Sequence, residues 1–114
     1  VGIFERQYES GEALTITGTG EQRRDFTHVS DIVSGLCAMA QDAHLGDVYN
    51  LGTGKNHSIN ELAALYECET ALIPARPGEA WITLADISKT KEELDWQPRQ
   101  SLEGYVQGWL EENK

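Results

Sequence analysis

The sequence of 114 residues carries 19 acidic side chains against 9 Lys and Arg, a formal charge of −10, with 39% hydrophobic residues and a mean hydropathy of −0.46. A chain of this length forms one small domain at most, and a dinucleotide-dependent enzyme needs about twice as much for its two halves, so a complete oxidoreductase is not expected. The acidity runs through both halves of the sequence, which excludes a nucleic-acid-binding face, and no apolar run approaches the roughly 18 residues of a membrane-spanning helix.

In chain order, Ile3, Phe4 and Tyr8 predict a short helix closed by Gly11, and Leu14-Thr15-Ile16-Thr17 reads as an alternating strand running into the turn Gly18-Thr19-Gly20. Phe26-Thr27-His28-Val29 reads as a second extended piece. A helix follows, with Ile32, Val33, Leu36, Met39 and Ala40 at helical spacing and Ser30 or Asp31 as its cap. Asp47 to Gly52 reads as a short buried strand, and Ser58-x-x-Glu61 is a capping box opening a helix with Leu62, Leu65 and Tyr66. Ala71-Leu72-Ile73 predicts a strand, and Pro74 to Glu79 an irregular loop. Asp86 caps a helix to Leu94, and Ser101 starts a last helix with Leu102, Tyr105, Val106, Trp109 and Leu110 on one face. The alternation predicts an α/β fold, a small sheet with flanking helices and open edges.

The chemistry-bearing candidates narrow quickly. Gly52-Thr53-Gly54-Lys55 fails the phosphate-loop pattern, because Tyr49 and Asn56 stand where a glycine and a Ser or Thr are needed. Gly18-Thr19-Gly20 has Arg23 in place of the third glycine of a dinucleotide fingerprint. His28, His44 and His57 lack metal-ligand spacing, and no tyrosine has a lysine four residues on, so neither a metal site nor a Tyr/Lys acid–base pair is expected. Cys37 and Cys68 are too few for a disulfide framework, which fits a reduced, cytoplasmic setting.

Two arginine units remain. Arg24-Asp25-Phe26 joins a guanidinium to a carboxylate that could orient it, and Arg76 shares a proline-stiffened loop with Glu79. Two separated arginines and a carboxylate suit a nucleoside diphosphate, with the carboxylate on a sugar diol. A surface ion pair accounts for either unit taken alone equally well.

Read together, Leu14 to Thr17 with Gly18 and Gly20, Arg24 to Val29 with Asp31, Tyr49-Asn50-Leu51-Gly52 with Gly54, Ser58 to Leu62, Arg76-Pro77-Gly78-Glu79, Ala85 to Lys89 and Leu94 to Pro98 resemble, in order, successive landmarks of extended short-chain dehydrogenases/reductases of the NAD-dependent epimerase/dehydratase family. The resemblance is to the C-terminal third of such proteins. It implies that residues 1–114 are a nucleotide-sugar-binding domain lacking the N-terminal Rossmann half that holds NAD and supplies catalytic Ser/Thr, Tyr and Lys. By the same resemblance, Arg24 and Arg76 bind the diphosphate, Glu79 the ribose, Asn50 the substrate, and the backbone of Thr15, Ile16 and Thr17 lies beside the base. Thr17 stands where many relatives carry an aromatic residue, His28 replaces a commoner Tyr, and Asp95 replaces a frequent glycine. No cofactor and no catalytic residue is expected on this chain. Its expected partners are a UDP-, dTDP- or GDP-linked sugar, a Rossmann half on another chain, or a second copy. The alternative is a non-catalytic interaction module that pairs with such a chain or with itself.

Overall fold

The computed structural model describes residues 1–42 and 46–113. His44, one of the histidines considered above as a metal ligand, lies outside them. Helix α1 (Gly2–Glu9) leads through a turn at Gly11 into strand β1 (Leu14–Thr17), then β2 (Arg23–Arg24), helix α2 (Val29–Asp42), β3 (His57–Ser58), α3 (Ile59–Leu65), β4 (Thr70–Ile73), α4 (Ser88–Leu94) and α5 (Leu102–Glu112).

The strands form two pairs rather than one sheet: β1 runs parallel to β4, with Leu14 opposite Thr70 and Thr17 opposite Ile73, and β2 runs antiparallel to β3. The extended piece expected at Phe26 to Val29 forms one step earlier, because Arg23 and Arg24 are the residues that find partners in Ser58 and His57, with a further bridge from Arg23 to Ile82. The strand expected from Asp47 to Gly52 is likewise not one. Its alternation is present, with Tyr49 buried and Val48 78% exposed, but no strand of the described residues lies alongside it.

Local signals decide the helix starts. Ser58 caps α3 and completes the capping box with Glu61, and the Ser101 hydroxyl accepts from the Gly104 amide at the start of α5. Ser30 and Asp31 fall inside α2 rather than at its cap, where the ring of His28 accepts from the Ser30 amide. The Asp86 carboxylate accepts from both the amide and the hydroxyl of Ser88 at the start of α4. Asp95 closes α4 in the left-handed region at φ 51°, the conformation glycine adopts without strain.

Leu14 and Ile16 point from β1 into the main core, where they meet Phe4, Leu62, Ala63, Tyr66 and the α5 stripe Leu102, Val106 and Leu110. Burying each large aliphatic side chain there contributes about 1.5–3 kcal/mol. A second cluster, Tyr49, Ile87, Leu94 and Trp96, seats α4 against α2, and the Trp96 indole donates to the Ser34 hydroxyl at 2.9 Å. At the centre of the main core Tyr66 packs edge-on against Phe4 and Trp109, but its hydroxyl has no hydrogen-bond partner among the described residues. Burial keeps that hydroxyl protonated well above the ordinary tyrosine range. Tyr66→Phe should therefore stabilise the fold by about 1 kcal/mol, since it removes an unsatisfied polar atom and keeps the ring contacts. Thermal unfolding of the two proteins checks this; a lower midpoint for the phenylalanine variant would mean the hydroxyl is satisfied.

Candidate functional site

Because successive side chains of a strand alternate, β1 turns Leu14 and Ile16 inward and leaves Thr15 and Thr17 on the opposite face. That face opens on a cavity of about 170 Å³ lined also by Phe26, Ile73, Arg76 and Glu79. An adjoining cavity of about 230 Å³ shares Thr17, Arg76 and Glu79 and is closed by Gln22 and Trp81. The structure thus brings Thr15, Thr17, Arg76 and Glu79 to one groove.

Arg24 joins them through Glu79. Its guanidinium donates to the Glu79 carboxylate at 3.2 Å and to the Arg23 carbonyl at 2.8 Å, and its side chain is 22% exposed. Glu79 therefore pairs with Arg24 and not with its loop neighbour Arg76, whose guanidinium makes no hydrogen bond or ion pair among the described residues. Glu79 thus links a half-buried, oriented arginine to the groove whose lining also holds the exposed Arg76. Arg24 lines neither cavity, but through Glu79 it brings a second guanidinium to the edge of the groove, the kind of local cation that an anion site on a strongly acidic chain requires. Arg23 is spent elsewhere, on Asn56 at 2.8 Å and Glu61 at 2.8 Å.

The carboxylate next to Arg24 does not orient it. Asp25 instead accepts from the backbone amides of Thr53, Gly54 and Ala85 and from the Thr53 hydroxyl, tying two loops to the end of β2. Burial alone would raise the Asp25 pKa, but these hydrogen bonds outweigh it and hold the carboxyl below the usual aspartate range. Gly52 makes the close packing of these loops possible, since a side-chain carbon there would sit 2.5 Å from the Ala85 Cβ and 3.0 Å from an Asp25 oxygen.

The backbone of β1 is partly engaged. Gln7 brackets Thr15, its carbonyl accepting from the Thr15 amide at 3.0 Å and its amide donating to the Thr15 hydroxyl at 2.9 Å, while buried Gln22 donates to the Thr17 carbonyl at 3.1 Å. Ile16 lies in the core. Asn50 stands apart: its amide donates to the Asp86 carbonyl at 3.1 Å beside the second cluster, and it lines neither cavity. A larger cavity of about 320 Å³, lined by Glu5, Phe26, His28 and Tyr105, contains none of the residues expected at the site. No cluster of His, Cys, Asp and Glu suited to a metal ion occurs among the described residues, and no helix among them is long and apolar enough to cross a membrane. Sequence reasoning missed Gln7 and Gln22, which engage Thr15 and Thr17 from 8 and 5 residues away, and Trp81, whose carbonyl is held by the distant Arg23 amide; none carries a local motif.

Residues 4–108 match the family model of GDP-mannose 4,6-dehydratase. The chain belongs to this family. It is thereby an extended short-chain dehydrogenase/reductase of the NAD-dependent epimerase/dehydratase kind. Among curated relatives, UDP-glucuronic acid decarboxylase 1 of Arabidopsis thaliana is 38% identical over 108 residues, covering 90% of this chain and 25% of the relative. The UDP-glucose 4-epimerase of Thermotoga maritima, solved with UDP-glucose, superposes with a TM-score of 0.87 at 32% identity, covering 96% of this chain and 37% of the epimerase. The UDP-glucuronic acid 4-epimerase of Bacillus cereus, solved with UDP-glucuronic acid and NAD, gives a TM-score of 0.87 at 28% identity, covering 97% of this chain and 38% of that one. The chain thus spans a quarter to two fifths of the length of these family members.

At the two glycine turns weighed in the sequence, backbone amides are already engaged. A pyrophosphate cradle needs free backbone amides at a glycine turn before a helix. In this member of the GDP-mannose 4,6-dehydratase family the Thr53 and Gly54 amides are taken by Asp25, and the Gly18 amide by the Ile73 carbonyl at 2.9 Å.

Proposed function

We propose that this chain is the nucleotide-diphosphate-sugar-binding portion of an NAD-dependent sugar epimerase or dehydratase. The observation that carries the reading is the groove in which Thr15, Thr17, Arg76 and Glu79 meet, with Arg24 oriented by Glu79. Arg24 and Arg76 hold the diphosphate. Each guanidinium offers a planar fork of donors to phosphate oxygens, and Arg76 has no partner among the described residues to give up. Glu79, already accepting from Arg24, keeps lone pairs for a ribose diol. The β1 backbone at Thr15, Ile16 and Thr17 lies beside the base. Asn50 belongs to the substrate site by resemblance, and contact with a sugar requires its amide to leave the Asp86 carbonyl.

In this reading the residues supply binding energy and position. Holding the substrate by its nucleotide leaves the sugar free to react elsewhere, and fixing the reacting group converts an encounter into an intramolecular step. Hydride exchange with NAD falls to the dinucleotide-binding part of full-length family proteins, and no step of it is assigned to these side chains. The exposed, unbridged Cys37 and Cys68 fit a reducing, cytoplasmic compartment.

Calorimetric titration with UDP, dTDP and GDP tests the proposal. At least one nucleotide should bind, and Arg24→Ala and Arg76→Ala should each weaken that binding by about 1.5–3 kcal/mol, the scale of hydrogen bonds to charged groups. Binding that neither substitution weakens would overturn it. A second reading, a module that pairs with a separate dinucleotide-binding chain or with itself, has its own observation. Val29, Val33 and Leu36 form an exposed apolar stripe on α2, each more than half exposed, with Val48 more exposed still. No binding by a folded chain would favour that second reading.

A further inference from the structure

We infer that Trp81 is the platform on which the nucleobase stacks. The inference rests on the proposed nucleotide site and adds to it the residue that holds the base. Trp81 is 61% exposed and belongs to neither core cluster, so its large ring is unexplained by packing. Among the described residues it is the one aromatic side chain lining the 230 Å³ cavity, where it stands with Thr17 and Arg76. Its cavity neighbours Ala75 and Ala80 carry only a methyl group each.

The ring is presented on a fixed backbone. The Trp81 carbonyl accepts from the Arg23 amide at 2.9 Å, the Thr83 amide donates to the Arg23 carbonyl at 3.0 Å, and Ile82 between them bridges to Arg23. An exposed indole held in this way loses little freedom when a ligand covers it. The edge of β1 points to the same use. Gln7 already occupies the Thr15 amide and Gln22 the Thr17 carbonyl, so two backbone groups that could read a base edge are taken, and Thr17 offers no ring. Recognition then falls to the face of the base, and stacking on an aromatic side chain tolerates any base. An Arg76-bound diphosphate places a nucleoside within reach of the same cavity.

The test titrates the chain and its Trp81→Ala, Trp81→Leu and Trp81→Phe variants with whichever of UDP, dTDP and GDP binds tightest, and with inorganic pyrophosphate. Truncating a stacked aromatic costs between about fivefold and 150-fold in affinity. The alanine and leucine variants should lose that much for the nucleotide and nothing for pyrophosphate, and phenylalanine should restore most of it. Leucine keeps apolar bulk without a ring, so its loss separates stacking from simple burial. Nucleotide binding unchanged in both ringless variants overturns the inference and leaves the nucleotide site standing, as does an equal loss for pyrophosphate, which would place the effect on the arginines. Failure of the unsubstituted folded chain to bind any of the three nucleotides overturns both.

Discussion

Asp25→Ala should destabilise the chain by about 4 kcal/mol, read as a lower urea midpoint at unchanged slope. The carboxylate accepts from the Thr53 amide at 3.0 Å, the Gly54 amide at 3.1 Å and the Ala85 amide at 3.1 Å, besides the Thr53 hydroxyl. Hydrogen bonds to a charged acceptor contribute about 1.5–3 kcal/mol each, and removing the acceptor strands donors that the fold has turned inward. Because the loops it ties, around Thr53 and around Ala85, flank the second cluster, the loss reaches Ile87 and Tyr49 as well as the end of β2. Asp25→Asn keeps one acceptor oxygen but turns an amide against the remaining donors, so it should fall between the two. The pH dependence has a definite sign. The Asp25 carboxyl titrates below the usual aspartate value of about 3.9, so its contribution is complete above that pH and disappears as the pH falls through the lowered value. The gap between wild type and Asp25→Ala should therefore be constant near neutrality and narrow on acidification below about pH 4. A gap that stays constant to pH 2 would mean that the carboxylate charge contributes nothing.

That carboxylate also marks the boundary of what the sequence discloses. Elements governed by local signals were legible: the Ser58 capping box, the Ser101 cap, the alternation of Leu14 to Thr17 and the stripe Leu102, Val106 and Leu110 each describe one element and its core face. Pairing was not, because it depends on what lies across from a segment. Asp47 to Gly52 has the pattern of a strand and finds no neighbour among the described residues, whereas Arg23 and Arg24, without a strand-like pattern, are drawn into pairing by Ser58, His57 and Ile82. The candidate site shows the same division. Arginine 24, Arg76 and Glu79 could be named from their neighbours in sequence, but which carboxylate serves which guanidinium could not. Glu79 reaches back 55 residues to Arg24, and Asp25 reaches forward 60 residues to Ala85. Sequence proximity favours Asp25 with Arg24 and Glu79 with Arg76; the fold instead gives Asp25 to backbone amides and Glu79 to Arg24, leaving Arg76 without a partner among the described residues.

Six residues on, Asp31 performs the equivalent task for the segment at Arg99 and Gln100, and Asp31→Ala should cost about 3 kcal/mol. The side chain is 3% exposed in the first turn of α2, where a negative charge is also favoured by the helix dipole. Its two oxygens accept from the Arg99 and Gln100 amides, both at 3.0 Å, across 68 and 69 residues. These bonds hold the segment that delivers Ser101, the cap of α5, and so set where Val106 and Leu110 enter the main core. Two hydrogen bonds to a buried carboxylate give the expected cost, reduced because Arg99 and Gln100 are themselves exposed and water can reach them once the carboxylate is gone. Hydrogen exchange should speed up at those two amides in the alanine variant, and urea unfolding should give the free energy. Asp31 lines neither cavity of the groove, so nucleotide affinity measured where the variant is still folded should stay within about twofold of wild type. Unchanged stability would mean that water replaces the carboxylate without loss. Unchanged stability with weakened nucleotide binding would move Asp31 from the scaffold to the site, which its position against the 99–100 segment argues against.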